Sequence, residues 1–389
     1  MSNIPVQNGV SHDESFAIDH ESSIKVRRWG SVKKWEIGWG PISVCNMRCQ
    51  FCYSRGERLT RGDLCLSDWK RFVSQNAERI HTINYGTGEN TLSFDWFQLV
   101  RFIREEYPEI RQALTTNGYL SEAVRNPECL WIFRNCIDEV DVSLDFCDRD
   151  RHTAFRGQEK AYDWAISTLE LCAAYQKPTT IVFLGSKVNV SRENVDGLFA
   201  LAKTHHAILR MNMYRPTAGI NAFSQNFIIP YKTVEDILRH IAEKYHIIAL
   251  NDTLFSAIFT GRAIEDPSGK KSVRILSDGS ITPSTYLIRE NYVVGNILNP
   301  NALKDLDEHD VLTRLIYRFI PDDCRKCVYC NQCAGGVYDR RYLWFHTLQA
   351  KDPYCQGPYQ RELPNPIPVT QTAFHTVHDG YLPTIFFSP

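Results

Sequence analysis

The sequence has almost no net charge, because 44 Lys and Arg residues face 45 Asp and Glu residues. This balance gives no indication of a nucleic-acid or anionic-membrane partner. No apolar run approaches the roughly 18–20 residues that a membrane span needs. Residues 1–23 also lack the apolar core of a secretory signal peptide. We therefore expect a cytoplasmic protein that binds neither nucleic acid nor membranes.

The chain is rich in cysteine. Its 389 residues are enough for one large domain and a smaller one, and 43% hydrophobic residues is ordinary for a globular protein. Thirteen cysteines are many for a chain with no export signal. In a reducing compartment, clustered cysteines favour metal binding over disulfides.

Cys45, Cys49 and Cys52 form a CxxxCxxC loop. A zinc site normally has four protein ligands, and no fourth Cys or His lies in this loop. Three thiolates can hold three irons of a 4Fe–4S cube and leave one iron open to a substrate or cofactor. The loop therefore predicts an iron–sulfur cluster with an open iron.

From residue 35 to about residue 211 the chain alternates between short apolar runs and amphipathic stretches. The strand-like runs are Trp35–Ile42, Arg79–Tyr85, Gln112–Thr116, Glu139–Leu144, Thr179–Leu184 and His206–Met211. The helix-like stretches between them are Ser67–Gln75, Phe94–Glu106, Glu122–Arg134, Tyr162–Tyr175 and Glu193–Lys203. This alternation predicts parallel β-α units. Because six strands are too few for an eight-fold barrel, we predict an α/β fold with a partial (β/α)6 barrel and its site at the carboxyl ends of the strands.

The rest of the chain divides by composition. We predict an N-terminal tail 1–34, the barrel 35–225, a bridging segment 226–270, a small auxiliary domain 271–356 and a Pro-rich tail 357–389. Within the auxiliary domain, Asp278-Gly279 predicts a turn between strands Ser272–Leu276 and Ser280–Thr282. A helix is expected at Leu312–Phe319. The prolines of the C-terminal tail favour an extended chain over the surface of the core.

The first cysteine loop, with Phe51 before its last cysteine, resembles the cluster loop of the radical S-adenosylmethionine (SAM) enzymes. The resemblance implies that the open iron binds the amino and carboxylate groups of SAM. It also implies that the reduced cluster cleaves a carbon–sulfur bond and yields a 5′-deoxyadenosyl radical, which takes a hydrogen atom from the substrate. An electron donor such as flavodoxin or ferredoxin is then an expected partner.

Two motifs at strand ends extend this resemblance. Gly86-Thr87-Gly88-Glu89 resembles the Gly-Gly-Glu motif that binds the SAM amino group, with Gly88 and Glu89 as binding residues. A strand end bare of side chains suits this role, although such ends are also common turns. Thr115-Thr116-Asn117-Gly118 resembles the TNG of the family, which assigns Asn117 to the cofactor site.

A third stretch resembles the Ser-x-Asp…Arg-Gly pattern of the family, through Ser143, Asp145 and Arg156. The resemblance places the serine near the ribose and the arginine near the SAM carboxylate, which suits the paired donors of a guanidinium. As alternatives to these roles in SAM binding, Ser143 would simply end a strand, and Arg156 would be a solvated surface charge. Phe51 and Tyr53 are expected to flank the adenine, with packing inside the loop as the alternative for Phe51.

Five cysteines are dispersed along the chain away from any other cysteine motif. By default they are small buried hydrophobes: Cys65, Cys129, Cys136, Cys147 and Cys172. Cys147 follows Asp145 by two residues, near the strand ends that should face the cavity. It is therefore our candidate catalytic residue, for radical quenching or proton donation.

A second cluster contains five cysteines: Cys324, Cys327, Cys330, Cys333 and Cys355. A structural zinc site with four thiolates is one interpretation. The stretch also resembles the SPASM/twitch-type auxiliary domain of peptide-modifying radical SAM enzymes, which in its full form holds two clusters. Here Ser284 and Val337 occupy two of the cysteine positions of that pattern, and neither is a good iron ligand. The resemblance then implies one auxiliary 4Fe–4S cluster on Cys324, Cys327, Cys333 and Cys355, with Cys330 as a substitute or spare thiol.

This auxiliary domain resembles that of enzymes that modify ribosomally made precursor peptides, including the class that acts on Nif-type leaders. The resemblance implies crosslinking, epimerisation or backbone excision of a precursor peptide. Because no segment ahead of the barrel is long enough for a leader-recognition domain, a separate leader-binding protein is an expected partner. Radical oxidation or epimerisation of an aminoglycoside sugar is the second hypothesis, and a non-catalytic iron–sulfur redox protein is the third.

Overall fold

Eleven strands form a single sheet in the computed structural model, which describes residues 32–310, 312, 319–370 and 376–389. Their order across the sheet is β10-β9-β8-β1-β2-β3-β4-β5-β6-β11-β7. Nearly all of the predicted N-terminal tail, and most of the helix predicted at Leu312–Phe319, lie outside the described residues.

The strands have the following bounds: β1 Trp35–Trp39, β2 Ile80–Tyr85, β3 Arg111–Thr116, β4 Glu139–Ser143, β5 Thr179–Gly185, β6 Ile208–Met213, β7 His246–Leu250, β8 Ser272–Ile275, β9 Ser280–Thr282, β10 Gly295–Asn296 and β11 Ile385–Ser388. The described α-helices are α1 Arg55–Arg58, α2 Leu66–Asn76, α3 Phe94–Glu106, α4 Leu120–Ala123, α5 Pro127–Cys136, α6 Arg149–Arg156, α7 Ala161–Ala174, α8 Arg192–Thr204, α9 Ala222–Gln225, α10 Tyr231–Lys244, α11 Thr253–Thr260, α12 Ala302–Asp305, α13 Cys330–Cys333 and α14 Tyr338–Phe345.

The six strands β1–β6 are parallel and lie in sequence order, which confirms the predicted partial (β/α)6 barrel. Most residues of β2 and β4 are buried, as expected for strands that have helices on one side and the barrel interior on the other. Helix α3 shows the local logic: Ser93 accepts a hydrogen bond from the Trp96 backbone at the helix start, and Phe97 and Val100 pack into the core. This arrangement brings the carboxyl ends of six strands to one edge.

The predicted hairpin of the auxiliary domain is present and extends the barrel sheet. Strand β8 pairs in parallel with β1 and antiparallel with β9. The turn between β8 and β9 contains Gly279 with a φ of +81°, a conformation that glycine adopts without steric cost. The sheet therefore continues across the predicted domain boundary at residue 271, so β8 can deliver side chains to the barrel.

The C-terminal segment differs from the expected surface tail. Strand β11 lies inside the sheet, antiparallel to both β6 and β7. Phe386 and Phe387 are fully buried there. The expectation was wrong for this part because the apolar run Ile385-Phe386-Phe387 fills a place in the sheet between two strands that would otherwise each expose an edge.

None of the helices in the described part of the chain has both the length and the apolar character needed to cross a membrane.

Candidate functional site

The carboxyl ends of β1–β6 surround a cavity of about 210 Å³. Ten predicted site residues line it: Cys45, Cys49, Phe51, Cys52, Tyr53, Gly88, Asn117, Ser143, Asp145 and Arg156. Met47, Gly86 and Thr116, which lie next to them in the same loops and strand ends, line it as well. The fold thus brings together side chains that are more than a hundred positions apart in the sequence.

The cysteine loop follows β1 and lies at this cavity. Cys49 is buried, Cys45 and Cys52 are half-buried, and none of the three forms a disulfide. Burial raises the pKa of the Cys49 thiol to about 11, although the nearby Arg156 opposes the rise. Thiolates in so dry a place need cations to stabilise their charge, as bound iron provides.

The donor set fits a cube better than a single ion. A lone zinc ion would draw its sulfur ligands to about 2.3 Å, whereas a 4Fe–4S cube spreads its ligands over several irons. The described lining of the cavity contains no fourth cysteine. These residues therefore fit a cluster with one iron that lacks a protein thiolate.

The loop after β2 packs tightly against the cysteine loop. Gly88 has a φ of +70°, and a Cβ there would lie 2.6 Å from the Val44 carbonyl oxygen. The Glu89 backbone donates a hydrogen bond of 2.8 Å to the same carbonyl. The hydroxyl groups of Tyr53 and Thr87 form a hydrogen bond of 2.8 Å. Glycine is therefore required where the two loops approach each other most closely.

Glu89 does not line the cavity, contrary to its predicted direct contact with SAM. It is fully buried, and its carboxylate accepts hydrogen bonds from the Thr91 hydroxyl at 2.6 Å, the Thr116 hydroxyl at 2.9 Å and the Asn117 backbone at 2.7 Å. Burial raises its pKa, and these hydrogen bonds oppose the rise. The Asn117 amide in turn donates to Asn46 at 2.8 Å. Glu89 thus holds Asn117, which contacts the cysteine loop.

Asp145 and Arg156 form a buried ion pair of 2.6 Å at the cavity. The guanidinium lies 5.2 Å from the centre of the Phe51 ring. Phe51 itself stacks on Phe155, with ring centres 4.1 Å apart. One face of Phe51 is therefore used in packing, while Arg156 is a paired, buried cation and not a solvated charge.

Cys147 lies away from the cavity, so the structure does not support its predicted catalytic role. Its sulfur packs against α8, where a Cβ on Gly197 would lie 2.3 Å from it. The chain leaves the strand conformation after Ser143, so the alternation of side chains that placed Cys147 at the cavity ends before it reaches that residue.

Our sequence analysis did not predict that the C-terminal segment contributes to the cavity. His378 and Tyr381 line the cavity, with Leu382 beside them. His378 Nδ1 lies 2.7 Å from a carboxylate oxygen of Asp141, which also pairs with Arg210 at 3.0 Å. Burial lowers the pKa of His378 to about 4, so its imidazole is neutral at pH 7. The alternating polar residues of β4, and Arg210 and Asn212 in β6, were signs in the sequence that the interior of the barrel is polar.

The second cysteine cluster lies around α13. Cys324 and Cys333 are buried, and burial raises their pKa values to about 11 and about 12. The neighbouring Cys355 adds to both shifts. Cys355 also interacts with Cys327, whose sulfur accepts a hydrogen bond from the Tyr359 backbone.

The two positions where the auxiliary-domain pattern lacks a cysteine have other roles in the structure. The Ser284 hydroxyl donates a hydrogen bond of 2.5 Å to Asp339, and Val337 is fully buried. Ser284 thus forms a hydrogen bond inside the protein, and Val337 is part of its core.

Residues 39–196 match the Radical SAM superfamily. Mycofactocin maturase MftC of Mycolicibacterium smegmatis is 24% identical over 337 residues, which are 82% of this chain and 82% of that protein. The subtilosin biosynthesis protein AlbA of Bacillus subtilis is 21% identical and covers 76% of this chain and 65% of AlbA. The crystal structure of Streptococcus suis SuiB bound to S-adenosylmethionine has a TM-score of 0.64 at 19% identity, over 83% of this chain and 77% of SuiB.

These similarities agree with the parallel partial barrel and with the three-cysteine loop at its carboxyl edge. The family match and the structure thus identify residues 39–196 as a radical SAM domain.

Proposed function

We propose that this enzyme modifies a ribosomally made precursor peptide by radical chemistry that begins with SAM. The observation that carries the radical chemistry is the meeting of three thiols, the Gly88 turn and the Asp145–Arg156 pair at one cavity. The peptide substrate is supported by the similarity to MftC over 82% of both chains. It is also supported by the fold shared with SuiB, which has been crystallised with its precursor peptide SuiA.

In this proposal Cys45, Cys49 and Cys52 hold a 4Fe–4S cluster and leave one iron open for SAM. When bound, the two cofactors together supply the 5′-deoxyadenosyl radical that abstracts hydrogen from the peptide. Arg156, oriented by Asp145, binds the carboxylate end of SAM.

Other residues of the cavity position the rest of SAM. The backbone at Gly88 receives the amino group, Ser143 lies near the ribose, and Tyr53 with the free face of Phe51 contacts the adenine. Glu89 and Asn117 act as positioning residues, because their hydrogen bonds hold the loops that carry these contacts. The cavity walls keep bulk water from the radical.

We also propose one auxiliary 4Fe–4S cluster on Cys324, Cys327, Cys333 and Cys355, with Cys330 outside the ligand set. Its support is the burial and mutual charge interaction of these thiols. A fully ligated cluster suits electron transfer or structural support. A flavodoxin or ferredoxin as electron donor, a separate leader-binding protein and a cytoplasmic location complete the proposal.

The test uses anaerobically reconstituted full-length enzyme with SAM and dithionite. We expect 5′-deoxyadenosine to form, and we expect a precursor encoded nearby to change in mass or chirality when it is co-expressed with the enzyme. Intact SAM under these conditions would refute the radical function. Formation of 5′-deoxyadenosine with modification of a sugar, and no change in the peptide, would refute the substrate class.

A further inference from the structure

Five arginines line the cavity in the described part of the chain, and three of them are neutralised by carboxylates. The pairs are Arg156–Asp145 at 2.6 Å, Arg210–Asp141 at 3.0 Å and Arg215–Asp339 at 3.2 Å. A buried cation without a counter-charge is costly, so the remaining two, Arg58 and Arg274, require an explanation.

Arg58 has its counter-charge in the cysteine loop. Its guanidinium donates to the Ser43 carbonyl, and its charge lowers the pKa of the Cys45 thiol against the effect of burial. A thiolate at Cys45, as in a bound cluster, would neutralise it.

Arg274 has no such neighbour. It projects from β8 into the cavity and is 2% exposed. Nη2 donates to the Gly86 carbonyl and to the Thr87 hydroxyl, and Nη1 lies 3.4 Å from the Tyr381 hydroxyl. Nε has no hydrogen-bond partner, and no described Asp or Glu lies within 4.0 Å of the guanidinium. This cation thus has donors to spare at a cavity wall.

Two hydroxyls lie beside it. The oxygens of Thr285 and Tyr381 are 2.6 Å apart, and both residues line the cavity. Hydroxyl donors next to a guanidinium match the several lone pairs of a carboxylate, which Arg binds through parallel hydrogen bonds.

We propose that Arg274, with Tyr381 and Thr285, binds a carboxylate group inside the cavity. The inference rests on the proposed function, which supplies two sources of this group. One is the methionyl carboxylate of SAM, which Arg274 would then share with Arg156, and the other is an acidic side chain of the peptide substrate. An acidic side chain would make Arg274 a specificity-determining residue for Asp or Glu next to the modified position.

The experiment compares ligands that differ only in this group, on reconstituted full-length enzyme. The first arm measures binding of SAM and of decarboxylated SAM by equilibrium dialysis. The second arm, with SAM present, measures binding of N-acetyl-aspartate and N-acetyl-glutamate methylamides against their Asn and Gln counterparts. In one arm, Arg274→Gln should lower the preference for the carboxylate ligand about tenfold or more, as expected for a charge-assisted hydrogen bond.

The arm that responds names the source of the carboxylate. Arg274→Lys should lose less of the preference, because Lys keeps the charge but not the fork. Arg125→Gln is the matched control, since the Arg125 side chain is 77% exposed and pairs with Glu122, three residues earlier in the chain. Carboxylate preferences that are unchanged by both Arg274 substitutions in both arms would overturn the proposal.

Two further readouts keep the test decisive. If Arg274→Gln does not fold, Arg274→Lys and the acid-over-amide preference of the wild type still decide the outcome. Formation of 5′-deoxyadenosine is measured in the same samples. If the enzyme never cleaves SAM but binds carboxylates through Arg274, the proposed function is refuted and this site is retained. If the enzyme cleaves SAM but its carboxylate binding does not depend on Arg274, this site is refuted and the proposed function is retained.

Discussion

The carboxylate of Asp145 lies 2.6 Å from Nη2 of Arg156, and its second oxygen accepts a hydrogen bond of 2.8 Å from the Leu184 backbone. One fully buried carboxylate thus connects the end of β4 to β5 and to α6. The same group holds the guanidinium that faces the cavity. Stability and cofactor binding should therefore depend on it together.

Asp145→Asn keeps the size of the side chain and removes its charge. We expect a loss of about 3–5 kcal/mol in the free energy of unfolding, because Arg156 is left buried without its partner. Formation of 5′-deoxyadenosine should fall with it. Urea unfolding and the SAM-cleavage assay measure the two effects. Asp163→Asn, in the exposed pair with Arg149, is the control and should cost about 0–1 kcal/mol; equal losses in both variants would contradict the interpretation.

The ligand set of the auxiliary cluster can be tested by iron content. Cys355→Ala should lose about four irons per chain, the content of one 4Fe–4S cube. Cys330→Ala should lose none, because the proposed set of four ligands is complete without it, although the charge of Cys330 also raises the pKa of the Cys324 thiol. Colorimetric iron assays and electron paramagnetic resonance of the reduced protein measure this. If Cys355→Ala kept the iron content of the wild type, or if Cys330→Ala lost iron, we would assign Cys330 as the cluster ligand in place of Cys355.

The barrel was predictable because parallel strands covered by helices leave a strong local pattern. Each of β1–β6 contains at least two buried apolar residues, and the longer intervening helices carry an apolar stripe. The cysteine loop and the Gly88 turn were predictable for a different reason. Their chemistry needs particular residue types at fixed spacing, and that spacing lies within a few residues of sequence.

Arg274, His378 and Tyr381 were not predictable because no local pattern shows which strands become neighbours. Arg274 reaches the cavity only because β8 pairs with β1, and His378 only because β11 inserts between β6 and β7. The error at Cys147 has a related cause, since a strand's alternation cannot be extended past the residue where the strand ends.

His378 should give the protein a measurable pH dependence. An unfolded His binds a proton below about pH 6.5, whereas burial lowers the pKa of folded His378 to about 4. Between these values the unfolded state binds more protons, so stability falls as the pH drops from 6.5 towards 4. The slope is at most about 1.4 kcal/mol per pH unit.

The measurement compares urea unfolding of wild type and His378→Gln across this range. The comparison is needed because Glu139 has the opposite pH dependence. Burial raises its pKa to about 8, so its contribution to the free energy of unfolding falls as the pH rises. Asp141, Arg210 and Arg274 also face His378 and remain in both proteins. Parallel stability curves for the two proteins would show that His378 is protonated equally in the folded and unfolded states.

The close contact between Gly38 and Tyr381 tests whether β1 and the C-terminal segment share one packed interior. A Cβ on Gly38 would lie 1.6 Å from the Tyr381 hydroxyl oxygen. Gly38→Ala should therefore displace the ring and cost about 1–3 kcal/mol, as overpacking of a core does. Gly56→Ala is the matched control, because a Cβ there meets no described atom within 4 Å. Adding Tyr381→Ala to Gly38→Ala should remove most of the cost of the glycine substitution, because the clashing ring is gone. If the two costs simply add in urea unfolding, the C-terminal segment does not pack against β1, and Tyr381 is not held where Arg274 needs it.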